Sequence, residues 1–118
     1  MTITLYGIPN CDSVKKARAL LDSRGVAYAF HDYKKLGVPE LALRRWVGAK
    51  GRDVVLNRKG TTWRTLDDAQ KASVVDDESA VALMLANPSL IKRPVVEIAE
   101  NGATRLVVGL DLDALPTS

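Results

Sequence analysis

The amino-acid sequence predicts an α/β fold in which helices cover one mixed β-sheet. Three observations support this prediction. A strand, a helix and a second strand follow one another over residues 2–33, the middle of the chain has mainly helical patterning, and two strand-like segments flank Asn101-Gly102 near the end. Because strands joined through a helix pair in parallel and hairpin strands pair antiparallel, the sheet is expected to be mixed.

The opening βαβ unit is predicted from a change in periodicity. Residues 2–6 have the pattern of a short buried strand, and apolar residues then recur at helical spacing over residues 12–24. Asp12 or Ser13 is expected to cap this helix. The alternation over residues 26–33 predicts the second strand. Such a unit is right-handed, with its two strands parallel.

The middle of the chain is predicted to hold interrupted helices. Pro39 is expected to open one helix, which Gly48 and Gly51 are expected to end. Residues 57–64 form a polar stretch, of which residues 57–60 have the composition of a solvated loop, and weak helical patterning follows over residues 66–72.

The last third returns to strands after one better helix at residues 79–86, which Asn87-Pro88 ends. Residues 94–98 and 104–108 are strand-like, and Asn101-Gly102 between them is a strong hairpin signal. Residues 110–115 are expected to form a short closing helix.

The bulk composition is that of an ordinary globular domain. The chain has 118 residues, of which 47% are hydrophobic and 26% charged, so it is long enough to bury a core. The net charge of +3 is spread along the chain without a long basic block, so nucleic-acid binding is not expected. No membrane-spanning run or signal-peptide pattern is present, and no membrane partner is expected.

Cys11 is the only cysteine, which excludes an intrachain disulfide and a multi-cysteine zinc site and favours a reducing cytosol. It lies where the first strand is predicted to give way to a helix. Unpaired backbone N–H groups and the helix dipole at such a position favour thiolate, the nucleophilic form, and Lys15 adds positive charge. A free cysteine is also often a small buried hydrophobic residue, and this alternative stays open.

A Cys-x-x-Cys pair would need a second cysteine at position 14, which is occupied by Val14. A mixed disulfide on Cys11 therefore has no resolving thiol within the motif. An external thiol must complete the reaction, and glutathione is the obvious candidate.

The other chemically interesting residues have structural interpretations. Arg93-Pro94 is either the start of a strand or a cis-proline turn, and the rarity of cis bonds favours the first on the residues alone. His31 is the sole histidine and is predicted to be structural or exposed, while Trp46 and Trp63 are predicted to be packing residues.

Three segments, at residues 5–17, 56–64 and 91–96, resemble the ArsC/Spx family in their residues, order and spacing. The sequence is most similar to the YffB-type branch, to which glutathione-dependent thiol reduction is ascribed. The resemblance implies a single arsenate reductase-like domain over residues 1–118. Its thioredoxin-like core would comprise about residues 1–35 and 88–118, with a helical insertion at about residues 36–87.

The resemblance also implies roles for particular residues. Cys11 would be the nucleophile, Arg93 would point towards it from the turn before a cis Pro94, and Arg58 would bind an anion or the glutathione carboxylates. No metal or bound cofactor is implied. The predicted catalytic residues are Cys11 and Arg93, and the predicted substrate-binding residues are Asn10, Asp12, Ser13, Lys15, Arg58 and Pro94.

The chain departs from the arsenate-reducing pattern at two points. Asp12 follows the cysteine and brings negative charge to an anion site, and Val108 stands where the third arginine of that pattern aligns. Arg105 is offset by an odd number of residues and should face the other side of the sheet. Arsenate reduction, linked to glutathione and glutaredoxin, is therefore ranked below general thiol reduction.

Spx-like regulators offer a different alternative, a non-catalytic interaction module. Val14 removes the Cys-x-x-Cys switch that such regulators often carry, although it would not prevent contact with a polymerase. The sequence thus predicts a monomeric cytoplasmic oxidoreductase, a glutathione-dependent thiol–disulfide reductase with one redox-active cysteine. Its expected partners are glutathione, an oxidised thiol substrate and glutaredoxin.

Overall fold

The computed structural model describes residues 1–117 and confirms the predicted α/β fold. Its strands form one mixed sheet in the spatial order β2-β1-β3-β4, where β1 is Thr2–Gly7, β2 is Ala29–Asp32, β3 is Val95–Glu100 and β4 is Ala103–Val108. Strand β1 pairs in parallel with β2 and antiparallel with β3, which pairs antiparallel with β4. The predicted βαβ unit and hairpin are both present.

In sequence, one α-helix lies between β1 and β2, and the other α-helices lie between β2 and β3. In the described part of the chain they are α1 (Asp12–Ser23), α2 (Tyr33–Leu36), α3 (Glu40–Lys50), α4 (Arg52–Val55), α5 (Thr61–Thr65), α6 (Asp68–Ala72) and α7 (Asp77–Ala86), with 3₁₀ turns at Pro88–Leu90 and Leu112–Ala114. None of the helices in residues 1–117 is long and apolar enough to cross a membrane.

The fold divides into two compact units. The first unit comprises Met1–Gly37 and the chain from Arg93 onward, and the second comprises Val38–Lys92. The sequence predicts the insertion at about residues 36–87, whereas the second unit begins two residues later and ends five residues later, so residues 88–92 belong to it instead of the core. Ser118, the last residue of the predicted domain, lies outside the described residues.

Residues 88–92 join the second unit because backbone hydrogen bonds tie them to the chain after α4. The Asn57 N–H donates to the Leu90 carbonyl, and the Lys92 N–H donates to the Val55 carbonyl, each at 2.8 Å. An isolated antiparallel bridge between Leu56 and Ile91 completes this pairing.

The core of the first unit lies between α1 and one face of the sheet. The sheet contributes Ile3, Leu5, Val96, Ile98 and Val107, and the helix contributes Val14, Ala17 and Leu21. Gly7 lets β1 approach the helix closely, since a Cβ atom there would lie 2.6 Å from Cγ2 of Val14. This close packing holds the start of α1 against the end of β1.

The second unit has its own buried residues, contributed mainly by α3 and α7, which contact each other. Trp46, Leu43 and Met84 have no exposed surface. Helix α3 runs through Gly48 to Lys50, so the prediction that Gly48 ends it was wrong. A glycine inside a helix costs only about 1 kcal/mol relative to alanine, which the burial of neighbouring side chains outweighs.

Strand β2 begins at Ala29, three residues later than predicted. The reason is the end of α1, where Gly25 has a φ of 68°. The Gly25 N–H donates to the Asp22 carbonyl and the Val26 N–H donates to the Leu21 carbonyl, at 3.1 and 3.0 Å. In this Schellman arrangement the Val26 N–H is bonded to the end of the helix, so Val26 is not available to pair in the strand.

Candidate functional site

Cys11 occupies the N-cap position of α1, with extended backbone angles of φ −86° and ψ 127°. Its carbonyl accepts the first intrahelical hydrogen bond, from the Lys15 N–H at 2.9 Å, and its own N–H donates to the Ile8 carbonyl at 3.2 Å. No side-chain hydrogen bond caps the helix. The prediction that Asp12 or Ser13 is the cap was therefore wrong, because the turn from Ile8 starts the helix one residue earlier.

The Cys11 side chain is half-buried and packs against the core of the first unit. The backbone N–H groups of Asp12, Ser13 and Val14 precede the first intrahelical bond, and in this geometry they point out of the N-terminal end of the helix. The sulfur thus combines partial exposure with the positive end of a 12-residue helix dipole. This is an environment that suits a nucleophilic thiolate.

The other predicted residues near Cys11 in the chain are Asn10, which precedes it, and three residues in the first turn of α1. Asn10, Asp12 and Lys15 are exposed, and Ser13 is half-buried. Asp12 is the acidic residue of the first helical turn. With Lys15, it gives the start of α1 charge of both signs.

The connection from β1 to α1, residues 8–11, is called the cysteine loop below. Arg93 and Pro94 lie at the end of the sheet where this loop begins. The antiparallel register pairs Tyr6 with Val95, so the residues before Val95 run alongside the end of β1. The Arg93-Pro94 peptide bond is cis, as the family resemblance implies and against the expectation from the residues alone. The Pro94 carbonyl accepts a hydrogen bond from the Gly109 N–H at 2.8 Å.

A row of three aromatic rings, which the sequence interpretation missed, crosses the first unit. The Tyr6 and His31 ring centroids are 5.0 Å apart, and those of His31 and Tyr33 are 6.1 Å apart. The Tyr6 hydroxyl donates to the Glu97 carboxylate at 2.5 Å, and Nε2 of His31 lies 2.9 Å from the Gly37 carbonyl oxygen. The available signal was the alternation of β1, which puts Tyr6 on the face opposite Leu5.

The hydroxyl of Tyr33 is buried and has no hydrogen-bond partner among residues 1–117. Burial raises the pKa of Tyr33 well above its ordinary value, and the charges of Tyr6 and Glu97 raise it further, while Arg93 opposes them. Tyr33 is therefore a neutral hydroxyl at physiological pH.

Arg58 belongs to the second unit, where an acidic residue already engages it. Its Nη1 lies 2.6 Å from Oδ1 of Asp53, and its guanidinium carbon lies 5.4 Å from the ring centroid of Trp63. The hydrogen bond and charge of Arg58 hold the pKa of Asp53 below its usual range. An open cavity of about 270 Å³ at this place is lined by Asp53, Val54, Leu56, Asn57, Arg58, Lys59 and Lys92.

Arg105 has a structural partner, since its Nη1 donates to the Ala114 carbonyl at 2.6 Å. It pairs with Ile98 across the hairpin, whereas Val108 pairs with Val95 next to the cis peptide. The guanidinium that could have replaced a third anion-binding arginine is thus directed to the C-terminal segment. Among residues 1–117, no group of three or more histidine, cysteine, aspartate or glutamate side chains is placed to hold a metal ion.

Comparison with known protein sequences identifies relatives along most of the chain. The family model described as the ArsC family matches residues 6–115. An uncharacterized protein of Haemophilus influenzae (strain ATCC 51907 / DSM 11121 / KW20 / Rd) is 42% identical over 94 residues, which cover 80% of this chain and 82% of the relative. The global transcriptional regulator Spx of Streptococcus pyogenes serotype M1 is 29% identical over 97 residues, covering 80% of this chain and 70% of that protein.

Solved structures of similar proteins share the fold. A protein described as YFFB is 53% identical, with a TM-score of 0.87 over 96% of this chain and 95% of the other. An arsenate reductase (ArsC) related protein from Brucella melitensis is 45% identical, with a TM-score of 0.71 over 94% of this chain and 88% of the other. Both likenesses extend over nearly the whole chain, so its thioredoxin-like architecture is common to all three proteins.

Proposed function

We propose that this chain, which belongs to the ArsC family, is a glutathione-dependent thiol–disulfide reductase. The observation that carries the proposal is the placement of its sole cysteine, half-buried, at the N-cap of α1. A cysteine that served only as core filling would need neither partial exposure nor the first-turn N–H groups. Those groups are the kind of environment that keeps sulfur anionic and reactive.

The reaction runs through one mixed disulfide. The Cys11 thiolate attacks the glutathione sulfur of an oxidised substrate R–S–S–G, the substrate sulfur leaves as a thiolate and is protonated, and Cys11–S–S–G is formed. The thiolate of a second glutathione then attacks the glutathione sulfur of this adduct and releases Cys11 as thiolate. In balance, R–S–S–G and one glutathione give R–SH and oxidised glutathione.

Four of the remaining predicted site residues have assigned parts in this reaction. Lys15 and Arg93 add positive potential for the thiolate, and Ser13 is the hydroxyl available to hydrogen-bond the sulfur. Arg58 offers a planar, bidentate donor to a glutathione carboxylate. The reaction needs no metal or bound cofactor, and the lone thiol suits a monomeric protein in a reducing cytoplasm.

Arsenate reduction is the second candidate, because a structural neighbour is described as an arsenate reductase related protein. Two observations rank it lower. Asp12 places a carboxylate in the first turn beside the thiol, and Arg105 is bonded to the Ala114 carbonyl. A multiply charged oxyanion would therefore meet one repulsion and lack one guanidinium.

A side-by-side assay tests the proposal. Purified protein is given either a glutathione mixed disulfide or arsenate, with glutathione, with or without glutaredoxin, and oxidised glutathione is measured. We expect turnover of the disulfide, and we expect Cys11→Ser to lower it by about three orders of magnitude because the nucleophile is lost. Ser23→Ala, at the other end of α1, is the matched control.

The outcomes separate the candidates. Turnover of arsenate alone would replace thiol reduction by arsenate reduction. Turnover of neither substrate, together with a Cys11→Ser variant that preserves the biological role in cells, would favour the non-catalytic module related to Spx.

A further inference from the structure

The second unit contains a groove whose charges are unbalanced. The cavity of about 270 Å³ described above is lined by the cationic side chains of Arg58, Lys59 and Lys92 and by one carboxylate, that of Asp53. Lys59 and Lys92 have no ion-pair partner in the part of the chain that the structure describes. The groove therefore has an excess of positive charge and suits a ligand that carries carboxylates.

The backbone that carries these side chains is held in place from both sides. The pairing of residues 55–57 with residues 90–92 fixes Arg58 and Lys92 on neighbouring segments. The Asn57 side chain accepts a hydrogen bond from the Lys59 N–H at 3.1 Å, and Gly60 leaves room for Asn57, whose Nδ2 would lie 2.9 Å from a Cβ there. The loop is thus shaped before any ligand arrives.

Asp53 distinguishes this groove from a simple anion site. Its carboxylate engages the Arg58 guanidinium at 2.6 Å, and an anion that binds Arg58 must compete with it. A ligand that carries an ammonium group beside its carboxylate would satisfy both partners at once, since the carboxylate faces Arg58 while the ammonium faces Asp53. The amino-acid end of a γ-glutamyl peptide has this pair of charges.

We propose that the groove lined by Asp53, Arg58, Lys59 and Lys92 binds the γ-glutamyl end of glutathione, with Asp53 as the receptor of its ammonium group. Arg58 receives the α-carboxylate, and the two lysines supply the remaining positive charge. The inference rests on the proposed function for the identity of the ligand. It adds a specificity-determining residue, because Asp53 selects ligands with a free amino group.

The test compares glutathione with N-glutaryl-cysteinylglycine, which lacks only the ammonium group. Full-length Cys11→Ser protein is used so that no disulfide forms, and both ligands are titrated while backbone amide shifts are followed by NMR. We expect shifts at residues 53–59 and 92. We also expect Asp53→Asn to weaken glutathione binding by about two- to fivefold and to leave binding of the analogue unchanged or tighter.

Asp77→Asn is the matched control, since it breaks the ion pair with Arg52, 2.9 Å long, without touching the groove. It should leave both affinities unchanged. Equal effects of Asp53→Asn on the two ligands would overturn the role of Asp53, and shifts confined to other residues would overturn the groove itself. Turnover by the wild-type protein is measured separately, so turnover without binding in the groove sinks this inference alone, while a groove that binds glutathione without turnover sinks the proposed function alone.

Discussion

The cysteine loop of the first unit and the cationic groove of the second are built on different physical principles. The loop is fixed by packing, since Leu5 and Val14 have no exposed surface and Gly7 allows their elements to meet. The groove is fixed by backbone hydrogen bonds, and its charged side chains are exposed. The proposed nucleophile thus lies on a tightly packed scaffold, whereas the charged side chains of the groove lie on an exposed surface.

This difference predicts how each region tolerates substitution. A change beside Cys11 disturbs packing or local potential, so its effect is large and appears in stability or in rate. A change in the groove removes one solvent-screened interaction, so its effect is small and appears in binding. Together with the Asp53→Asn titration described above, the following substitutions test that distinction.

After the loss of the nucleophile in Cys11→Ser, the largest effect is expected from Arg93→Ala. We predict that it lowers kcat/KM for the glutathione mixed disulfide by about ten- to a hundredfold, the value of a hydrogen bond to a charged group. Arg105→Ala is the matched control, because its guanidinium is bonded to the Ala114 carbonyl, and it should leave the rate unchanged. Equal losses in the two variants would mean that general electrostatic attraction, and not the position of Arg93, is what matters.

A smaller effect, on stability, is expected from Gly7→Ala. The added Cβ would lie 2.6 Å from Cγ2 of Val14 in the close-packed core, so we predict a loss of about 1–3 kcal/mol in the free energy of unfolding. Gly48→Ala is its counterpart, since a Cβ there meets nothing within 4 Å inside α3. It should stabilise the protein by about 0.5–1 kcal/mol in urea unfolding. A neutral Gly7→Ala would show that the cysteine loop is looser than its packing indicates.

The smallest effect is expected at the capping box of α7. Hydrogen bonds from the Ser79 backbone and side chain hold the pKa of Asp76 below its usual range. A depressed carboxyl pKa stabilises the fold above the unfolded-state value, and that contribution disappears as the pH falls through the native value. Asp76→Ala should therefore lower the free energy of unfolding at pH 7, measured in urea, and should lower it less at a pH below the native pKa. A loss of stability that persists in acid would mean that side-chain packing, and not the ionised cap, is responsible.

Much of the fold was predictable from local patterns. The helical spacing after Cys11 and the hairpin signal at Asn101-Gly102 both depend on neighbours in sequence, and α1 and the β3–β4 hairpin confirm them. The predictions failed where a contact overrode a local preference. Gly48 stays helical beside buried residues. Helix α5, Thr61–Thr65, was not predicted from the polar stretch in which it begins.

The candidate site divides in the same way. Cys11 could be nominated because its neighbours in sequence already indicated a strand followed by a helix. Its half-buried state, the row formed by Tyr6 and His31, and the engagement of Arg58 by Asp53 could not be read from the chain. The burial and the ring contact depend on which strands pair and in which register. The ion pair depends on how the Arg58 side chain turns towards α4.

By itself, the order of residues predicted most of the element types, nominated Cys11 as the nucleophile and indicated the need for an outside thiol, since periodicity and residue chemistry act over a few positions. Only the tertiary structure decided the cis peptide at Arg93-Pro94, the N-cap position of Cys11 and the charges that meet in the groove. The physical reason is the distance along the chain over which each kind of interaction acts. Packing and electrostatic contacts join residues far apart in the chain, and their geometry exists only once strands and helices have been assembled.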